Sequence, residues 1–565
     1  MLTRLLRLGL GALLTFTTLA GAQSWTRLPN APGSGVNTSL LLTDGTVMAH
    51  TANTGTWWRL TPDINGSYIN GTWSQLASMP AGYGPLYYAS AVLPDGRVVV
   101  EGGEYNLGSL VRTMLGAIYN PAKNSWTPIA PPPGWSTIGD AQSVVLHDGT
   151  LMLANCCTAQ AALLNASNLT WTLTGAGKAD GNNEEGWTLL PGGKVLTVDT
   201  NNPLNRTNSE VFDPGTGTWS SGGSTIVQLP DINPDNSGSH EIGPAVLRPD
   251  GIVFATGGTS NTAIYNSAFG GWSVGPTFPS GLTVGDGPAA LLPSGNVLVD
   301  AGPPGFGVGA QFFEFNGTNL LAAPSTPRAS GEPSFVARML VLPTGQILLT
   351  DGSTDVEIYT PVGTFLSAWQ PVISSVPSAV TRNSTSNFIG GTQFNGLSQG
   401  AAYGDDAQSA TNYPLVRITN NATGHVFYAK THDHTLMSVA TGGEFVSTSF
   451  DVSSVTELGA STVQVVANGI PSNPAAILVV SCTRDSLGYC VTSQTGLLNG
   501  GRCLIAPRVI VNEHLGTVIY HILTPNGTIQ DFTETVTDDG TGSCTTNESW
   551  SPGEPSVVFH DPNLP

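Results

Sequence analysis

Short apolar stretches alternate with glycine-rich turns along most of the chain, and one unit of this kind recurs. The unit has an apolar strand, a turn that ends in glycine and a second strand with alternating apolar positions, as from Ala91 through Gly96 to Val98. Glycine suits this turn because a tight hairpin needs a positive φ. The turn glycines follow at intervals of 44 to 58 residues and are Gly45, Gly96, Gly149, Gly193, Gly251, Gly295 and Gly345. Seven repeats predict seven small sheets.

Tryptophan marks a second position in the same repeat. The tryptophans recur at intervals of 45 to 53 residues and are Trp25, Trp73, Trp126, Trp171, Trp219 and Trp272. Each is predicted to begin the fourth strand of a sheet and to pack between neighbouring sheets. Trp25 precedes the first repeat, so we expect residues 24–26 to complete the sheet built from residues 335–370 and so close a ring.

The repeat length of about 50 residues is typical of kelch units. We therefore predict an all-β protein with a seven-bladed kelch-type β-propeller over residues 23–370. The repeat then stops, although residues 371–480 still alternate as strands do, and about 110 residues of this kind suggest an immunoglobulin-like (early-set) β-sandwich. Residues 481–565 are predicted to form a cysteine-containing, β-rich tail.

The first 22 residues have the pattern of a secretory signal peptide. Arg4 and Arg7 precede the apolar run from Leu8 to Leu19, and small residues end the segment at Ala22. This length and order are typical of a cleaved export signal. We therefore expect a secreted, extracellular protein. No later run reaches about 18 apolar residues, so we expect no membrane span after cleavage.

The charge balance narrows the choice of partners. The chain has 19 basic and 39 acidic residues and a formal net charge of −20. Nucleic-acid binding requires clustered basic residues, so we expect no nucleic-acid partner. The acidic surface keeps the protein soluble and favours cations or basic partners, and we expect a monomer.

The cysteines of an exported chain are usually paired. We expect two disulfides among the four cysteines of the tail, in any of three pairings, and these are Cys482, Cys490, Cys503 and Cys544. Cys156 and Cys157 are adjacent, and either they form a vicinal disulfide or they stay reduced.

The stretch from Tyr87 to Tyr105, with Gly96 at its turn, resembles the galactose oxidase and glyoxal oxidase family of copper enzymes. The resemblance covers roughly residues 24–480 and implies a kelch propeller, an early-set domain and a copper–radical site. It assigns the radical tyrosine to Tyr87 and the aromatic that stacks over it to Tyr105.

The remaining positions of that site depart from the family. The resemblance assigns the cross-linked cysteine to Val36 and two copper ligands to Phe335 and Val336. A third ligand, a histidine, would correspond to His432 or His434. Because valine and phenylalanine cannot bind copper, we expect a scaffold without the copper–radical cofactor.

The loops that lead into the innermost strands should surround one opening of the central channel, which we call the mouth. Four of these seven loops carry an acid among the candidate residues. The candidate pocket residues are Tyr87, Tyr88, Tyr105, Asp140, Glu184, Glu185, His240, Glu241, Asp286 and Arg338. Carboxylates beside tyrosines suit sugar hydroxyls. The same acids suit a divalent metal or an acid–base pair, or they are simply solvated loop residues.

His432 and His434 are a further metal candidate, because residues two apart on a strand project from one face. The alternative is a polar face that packs against the propeller. Asp405 and Asp406 are a weaker cation candidate, since the stretch also has the composition of a turn. The sequence favours extracellular carbohydrate or polysaccharide recognition at the mouth; the alternatives are a metal-dependent oxidoreductase or carboxylate-based hydrolase, and a structural surface protein.

Overall fold

The computed structural model describes residues 22–404, 409–481, 490–495, 499–500, 503–506, 509–511, 514–538 and 544–551. Residues 1–21, which hold nearly all of the predicted signal peptide, and the Asp405–Asp406 pair lie outside the described residues. Within the described part the regular structure is β-strand. The 3-10 turns are Pro279–Gly281, Ala329–Gly331, Ser334–Val336 and Ser367–Trp369. No described helix has the length and apolar character needed to cross a membrane. The all-β class is confirmed.

Seven antiparallel sheets of four or five strands and one small three-stranded sheet account for the strands of residues 24–360 and 401–402 in the described chain. The N-terminal strand is β1 (Ser24–Arg27). The first sheet is β2 (Ser39–Leu41), β3 (Val47–His50), β4 (Trp57–Thr61) and β5 (Thr72–Gln75). A small hairpin sheet is β6 (Pro85–Leu86), β9 (Tyr105–Asn106) and β10 (Ser109–Leu110). The second sheet is β7 (Ala89–Val92), β8 (Val98–Glu101), β11 (Gly116–Asn120) and β12 (Ser125–Ile129).

The next sheets repeat this order. The third is β13 (Ser143–Val145), β14 (Leu151–Ala154), β15 (Ala161–Asn165) and β16 (Thr170–Thr174). The fourth is β17 (Thr188–Leu189), β18 (Val195–Val198), β19 (Asn208–Asp213) and β20 (Thr218–Ser224). The fifth is β21 (Ile242–Leu247), β22 (Ile252–Gly257), β23 (Ala263–Asn266) and β24 (Gly271–Val274). The sixth is β25 (Ala289–Leu291), β26 (Val297–Ala301), β27 (Gln311–Phe315), β28 (Leu320–Ala322) and, from further along the chain, β35 (Ala401–Ala402).

The seventh sheet contains both the beginning and the end of this region. Its strands are β29 (Arg338–Val341), β30 (Ile347–Thr350), β31 (Glu357–Thr360) and β1. Trp25 lies opposite Tyr359 in the antiparallel pair of β1 and β31. The N-terminal strand therefore completes the last sheet, as predicted from the position of Trp25.

Both repeated residues have the predicted places. Each turn glycine joins the first and second strands of a sheet, and the seven φ angles lie between 75° and 84°. Trp126 is the second residue of the fourth strand of the second sheet, and its ring is 5.6 Å from the ring of Trp57 in the first sheet. The tryptophan thus packs between neighbouring sheets.

The innermost strands of neighbouring sheets contact one another. Contacts join β2 to β7, β7 to β13, β17 to β21, β21 to β25, β25 to β29 and β29 back to β2. The first strands of the sheets are buried; for example, every residue of β2 and β25 is buried. These strands therefore surround a central channel.

A stretch from beyond the repeats fills this channel, and we call residues 395–404 and 409–413 the central segment. Its strand β35 pairs with β25, and Gln399 Oε1 accepts a hydrogen bond from Leu189 N at 2.7 Å. Ser409 Oγ donates to Ser39 O at 3.1 Å, and the Tyr413 hydroxyl donates to Leu41 O. The central segment is mostly buried and contacts innermost strands on opposite sides of the channel.

Nine strands after residue 371 form a second assembly. They are β32 (Val372–Ser375), β33 (Ala379–Thr381), β34 (Asn387–Thr392), β36 (Leu415–Asn420), β37 (Val426–His432), β38 (Phe445–Asp451), β39 (Gly459–Ala467), β40 (Ile470–Pro471) and β41 (Ala475–Val480). Its core includes Ile389, Val416, Phe450 and Val463. All pairs are antiparallel except that of β33 with β41.

The tail also consists of strands where the structure describes it. They are β42 (Cys490–Thr495), β43 (Asn499–Gly500), β44 (Cys503–Ala506), β45 (Val509–Val511), β46 (His514–Leu523), β47 (Ile529–Asp538) and β48 (Cys544–Ser551). Strand β46 pairs with β42 and β47. The side chains of the four tail cysteines lie outside the described part, so the expected disulfides there stay predictions.

Candidate functional site

The loops that lead into the innermost strands share an uncommon backbone conformation. Four non-glycine residues with positive φ lie there, namely Tyr87 (51°), Glu184 (58°), His240 (70°) and Asp286 (56°). This region is sparsely populated by residues that carry a Cβ. Such strain collects at binding sites, where the surrounding structure holds it. The side chains of these four residues therefore point in directions that they would not have in an extended strand.

Three carboxylates meet at the mouth. Glu184, Glu241 and Asp286 each offer an oxygen, and these atoms lie within 4.8 Å of one another. Burial, and then the negative charge of Glu184, raise the pKa of Glu241 to about 8. The charges of Asp140 and Glu104 add to the same shift. We call Glu184, Glu241 and Asp286 the acidic cluster. Because the pKa of Glu241 is raised to about 8, Glu241 is mostly protonated at neutral pH.

Aromatic rings and one arginine stand beside the acidic cluster. The rings of Tyr87 and Tyr105 meet edge to face with their centroids 6.2 Å apart. The Arg338 guanidinium lies 5.8 Å from the centroid of Tyr87 and 3.4 Å from that of Tyr403. Arg338 Nη1 donates to Phe335 O at 2.7 Å, which fixes the guanidinium in place. Stacking on aromatic faces stabilises a buried guanidinium.

The central segment reaches the mouth from below. The Tyr403 hydroxyl donates to Phe335 O at 2.9 Å. A Cβ at Gly404 would lie 2.5 Å from Asp286 Oδ1, so only glycine fits against the acidic cluster there. Phe306 and Glu241 line one small hollow, and the Phe306 ring is 5.3 Å from that of Phe335.

Two of the residues that the sequence assigned to the pocket, Tyr88 and Glu185, point into the protein interior, whereas His240 stays on its mouth loop. Tyr88 is buried and its hydroxyl is 3.0 Å from His50 Nδ1, inside the first and second sheets. Glu185 is fully buried and is paired with Lys178. His240 is half-buried on its loop, with Nε2 3.3 Å from Asn236 O. Tyr88 and Glu185 each follow a residue with positive φ, and His240 has a positive φ itself. This conformation turns side chains in directions that simple alternation does not give.

A buried ion-pair network supports the loop that carries Glu184. Lys178 Nζ lies 2.7 Å from Asp180, 2.8 Å from Glu185 and 2.7 Å from Glu210, and its side chain has no exposed surface. Thr197 Oγ1 donates to Glu185 Oε2 at 2.9 Å. Asp180, Asp199 and Glu210 would be close enough to share a cation, but the Lys178 ammonium already contacts two of them.

Cys156 and Cys157 form a vicinal disulfide at the edge of the mouth. Cys156 N donates to Ile138 O at 2.9 Å, close to the loop that carries Asp140. The buried Asn182 donates through Nδ2 to the carbonyl oxygens of Thr158 and Gln160, both at 2.8 Å. The disulfide loop is thus joined to the loop that carries Glu184.

His432 and His434 lie at the other end of the sheets. His434 N donates to Pro94 O, in the turn between β7 and β8. The strand ends at His432 because Asp433 has a φ of 54°, so the expected alternation does not extend to His434. His432 faces carboxylates at 2.7 Å (Asp433) and 3.1 Å (Asp451). Burial lowers the pKa of His434 to about 3. Neither imidazole reaches over the mouth.

The side chains present do not fit a copper–tyrosyl-radical centre. Val36 is buried and has no sulfur, while the side chains of Phe335 and Val336 have no atom that could bind a metal. Copper favours imidazole ligands, and the one described imidazole on the mouth loops is that of His240. The resemblance implied that Tyr105 stacks over Tyr87; in the structure the two rings meet edge to face.

Several residues of the site were not foreseen. Lys178, Glu104 and Phe306 lie in loops between strands, and Tyr403 belongs to a segment distant in sequence. Glu104 and Phe306 follow the second strands of their sheets, and such loops share the mouth with those that precede the first strands. Their position after the second strand of a repeat could therefore have indicated that Glu104 and Phe306 lie at the mouth. Nothing in the sequence predicted that Tyr403 would return to the mouth.

Comparison with known proteins gives partial similarities. No protein-family model matches the chain. A kelch-like protein, terF, of Aspergillus terreus (strain NIH 2624 / FGSC A1156) is 34% identical over 82 residues, which are 14% of this chain and 17% of that protein. A fungal alcohol oxidase of the AA5 family in complex with copper is similar in structure, with a TM-score of 0.44, 14% identity, and coverage of 81% of this chain and 99% of that one. A catalytically inactive virginiamycin B lyase from Staphylococcus aureus with quinupristin has a TM-score of 0.42, 9% identity and coverage of 60% and 100%.

Proposed function

We propose that this chain is a secreted, galactose-oxidase-like kelch propeller of seven blades with an immunoglobulin-like domain, and that it binds carbohydrate at its mouth without copper–radical chemistry. The seven repeated sheets and the closure of the last one by β1 support the architecture. The mismatch at Val36, Phe335 and Val336 supports the exclusion of copper. Export is supported by the sequence of residues 1–22, and a mature N-terminus at Gln23 would test it.

The observation that carries the binding function is the acidic cluster beside Tyr87 and Tyr105. Sugar hydroxyls donate hydrogen bonds to carboxylates, and the apolar faces of sugar rings pack on aromatic side chains. Because the pKa of Glu241 is raised to about 8, this residue at pH 7 both donates and accepts. That suits a hydroxyl group, which also does both.

A glycan array with the full chain tests this function. We expect a set of neutral or amino-sugar glycans to bind, and both Tyr105→Ala and Glu184→Gln to weaken the best of them at least about tenfold in calorimetric titration, or about 1.4 kcal/mol. Glu444→Gln is the matched control, because Glu444 is exposed in the second strand assembly. An array without binding, or binding equal in all variants, would contradict the proposal.

The second candidate is a divalent cation held by the acidic cluster, with an enzymatic role at the mouth. The observation in its favour is the 4.8 Å limit on the three carboxylate oxygens, since hard cations such as Ca²⁺ take oxygen ligands. Elemental analysis of the purified chain distinguishes this case. One bound metal per chain that Asp286→Asn releases would favour it over the carbohydrate site, and failure of both tests would leave a structural surface protein.

A further inference from the structure

The loop between β14 and β15 contains the two adjacent cysteines, and we call residues 155–160 the disulfide loop. Cys156 is buried, whereas Cys157 is exposed. Their disulfide closes a small ring that includes the peptide bond between them, so it restricts the backbone at both residues. Asn155 N donates to Gln160 O at 3.0 Å across the base of the loop. The disulfide therefore fixes the shape of a short loop at the edge of the mouth.

The buried sulfur lies directly against residues 137–140, which lead into the first strand of the third sheet. A Cβ at Gly139 would lie 2.5 Å from Cys156 Sγ, so the sulfur occupies the space that a side chain would need there. Thr137 Oγ1 donates to Asn155 Oδ1 at 3.0 Å, which adds a polar contact between the same two segments. The position of one mouth loop is thus coupled to the disulfide loop.

Asn182 joins the disulfide loop to the loop that carries Glu184. It is fully buried, and its Nδ2 donates to three carbonyl oxygens of the disulfide loop, those of Asn155 (3.4 Å), Thr158 (2.8 Å) and Gln160 (2.8 Å). Its backbone N–H donates to the Thr158 carbonyl oxygen at 3.0 Å. A buried amide that loses its acceptors destabilises the fold. The position of Asn182 therefore depends on the loop shape that the disulfide maintains.

We propose that the Cys156–Cys157 disulfide is a redox-sensitive positioning element of the mouth. The intact disulfide holds its loop against residues 137–140 and against Asn182, and reduction by a dithiol loosens both contacts. A thiol–disulfide change acts as a switch when it alters the order of a neighbouring segment, which here is the loop that carries Glu184. The effect on ligand binding rests on the proposed carbohydrate site, whereas the effect on the loops does not.

Reduction begins at the exposed residue, Cys157. A thiolate of the dithiol attacks Cys157 Sγ, the S–S bond breaks, and Cys156 leaves as a thiolate that takes up a proton. The second thiol of the dithiol then attacks the mixed disulfide and releases Cys157 as a thiol. Two electrons and two protons pass to the protein, and the dithiol becomes a disulfide. In an exported chain the intact bridge is the resting form.

Titration of the full chain with dithiothreitol tests the proposal without any sugar. Alkylation followed by digestion and mass spectrometry reports the redox state of Cys156 and Cys157 separately from that of the tail cysteines. Where this bridge is reduced and the protein is still folded, hydrogen exchange should rise at least about fivefold in the disulfide loop and in residues 180–185. Exchange in β26, in the sixth sheet, should stay unchanged.

Two variants and a matched control separate the bridge from other effects of dithiol. Cys156→Ser/Cys157→Ser should show the faster exchange without dithiol, and dithiol should not change it further in these loops, although the tail cysteines remain. Ala159→Ser is the control, because Ala159 is exposed in the disulfide loop and the bridge stays intact. It should respond as wild type does. In Asn182→Ala the disulfide loop should still respond to dithiol, whereas the loop that carries Glu184 should not.

Unchanged exchange in residues 180–185 after reduction of the bridge would overturn the proposal. So would a bridge that is reduced only when the whole protein unfolds. The best glycan of the array should bind the reduced chain and the double cysteine variant at least about threefold more weakly, and equal affinity would also overturn the positioning role. A negative array together with redox-dependent exchange would support the positioning element and refute only the carbohydrate site.

Discussion

Lys178 illustrates how much of this site depends on one buried charge. Burial alone would lower the pKa of this lysine, but Glu185, Asp180 and Glu210 raise it further than burial lowers it. Removing one member of a buried ion-pair network leaves the remaining charges buried without compensation. This destabilises the folded protein more than replacing all members by apolar residues does. Because Glu185 adjoins Glu184, the same network also fixes one corner of the acidic cluster.

We therefore expect Lys178→Met to lower the free energy of unfolding by about 3–5 kcal/mol. Denaturant titration at pH 7 followed by tryptophan fluorescence measures it. Lys194→Met is the control, since the Lys194–Asp213 pair is 53% and 38% exposed and such exposed pairs contribute little to stability. Similar small losses in both variants would contradict the role of the network.

Glu241 makes the stability of the chain depend on pH. Its pKa is about 8 in the folded protein, above the usual value near 4.3 of an unfolded chain. The folded state therefore holds this proton more tightly, and its contribution is complete at low pH and is lost as pH rises through about 8.

Between pH 5 and 9 we expect wild type to lose stability relative to Glu241→Gln, with a slope of up to about 1.4 kcal/mol per pH unit below pH 8. Unfolding curves at each pH give the difference. Glu444→Gln should run parallel to wild type, and a flat difference between wild type and Glu241→Gln would refute the raised pKa.

At the scale of elements, β1 is a single strand that completes a sheet made elsewhere. The Trp25 ring lies 5.0 Å from both Phe312 and Tyr359, and its indole nitrogen donates to Pro324 O at 2.7 Å. The tryptophan thus joins the sixth sheet to the seventh. Losing a partly buried tryptophan removes packing against both.

Trp25→Ala should destabilise the protein by roughly 2–4 kcal/mol, near the low end for a buried aromatic because the ring is partly exposed. Thermal unfolding measures it. Leu173→Ala, on the outer strand of the third sheet and 55% exposed, is the control and should change stability little. A loss no larger than in the control would mean that β1 is not needed to hold the last sheet.

The sheets were predictable because their signal repeats. Gly96 is explained by a tight turn, and Trp126 is explained by an interface between sheets. Because equivalent residues recur in the other repeats, each repeat adds evidence for the same structure. The acidic cluster was predictable for the same reason, since position in the repeat placed Glu184 and Asp286 in equivalent loops. The direction of the side chains was not predictable, because the positive φ of Glu184 depends on the tertiary structure. As a result Glu184, and not Glu185, reaches the mouth.

The central segment defines the molecule as a whole. It leaves the second strand assembly, runs through the channel between the innermost strands and reaches the mouth, where Tyr403 stacks on Arg338. No local pattern near Tyr403 could predict this, because the contacts depend on the shape of a channel made by other parts of the chain. The two assemblies therefore share one interior.

From this shared interior we expect residues 22–480 to unfold in one cooperative transition. Scanning calorimetry should give a single main peak, and Gln399→Ala, which removes the hydrogen bond from Leu189 N, should lower its temperature without splitting it. Gln530→Ala, in the tail strand β47, is the matched control and should leave the main peak in place. Two separated peaks in the wild type would contradict the shared interior.

The pairing of β1 with β31 also bears on how the chain is made. Some 330 residues separate the two strands, and at a synthesis rate of roughly 5–20 residues per second the first strand waits on the order of tens of seconds for its neighbour. Throughout that time both strand edges are unprotected and able to pair with other chains. Such a distant contact also makes folding slow. The yield of folded protein should therefore depend on how well β1 is protected from other chains until β31 has been synthesised.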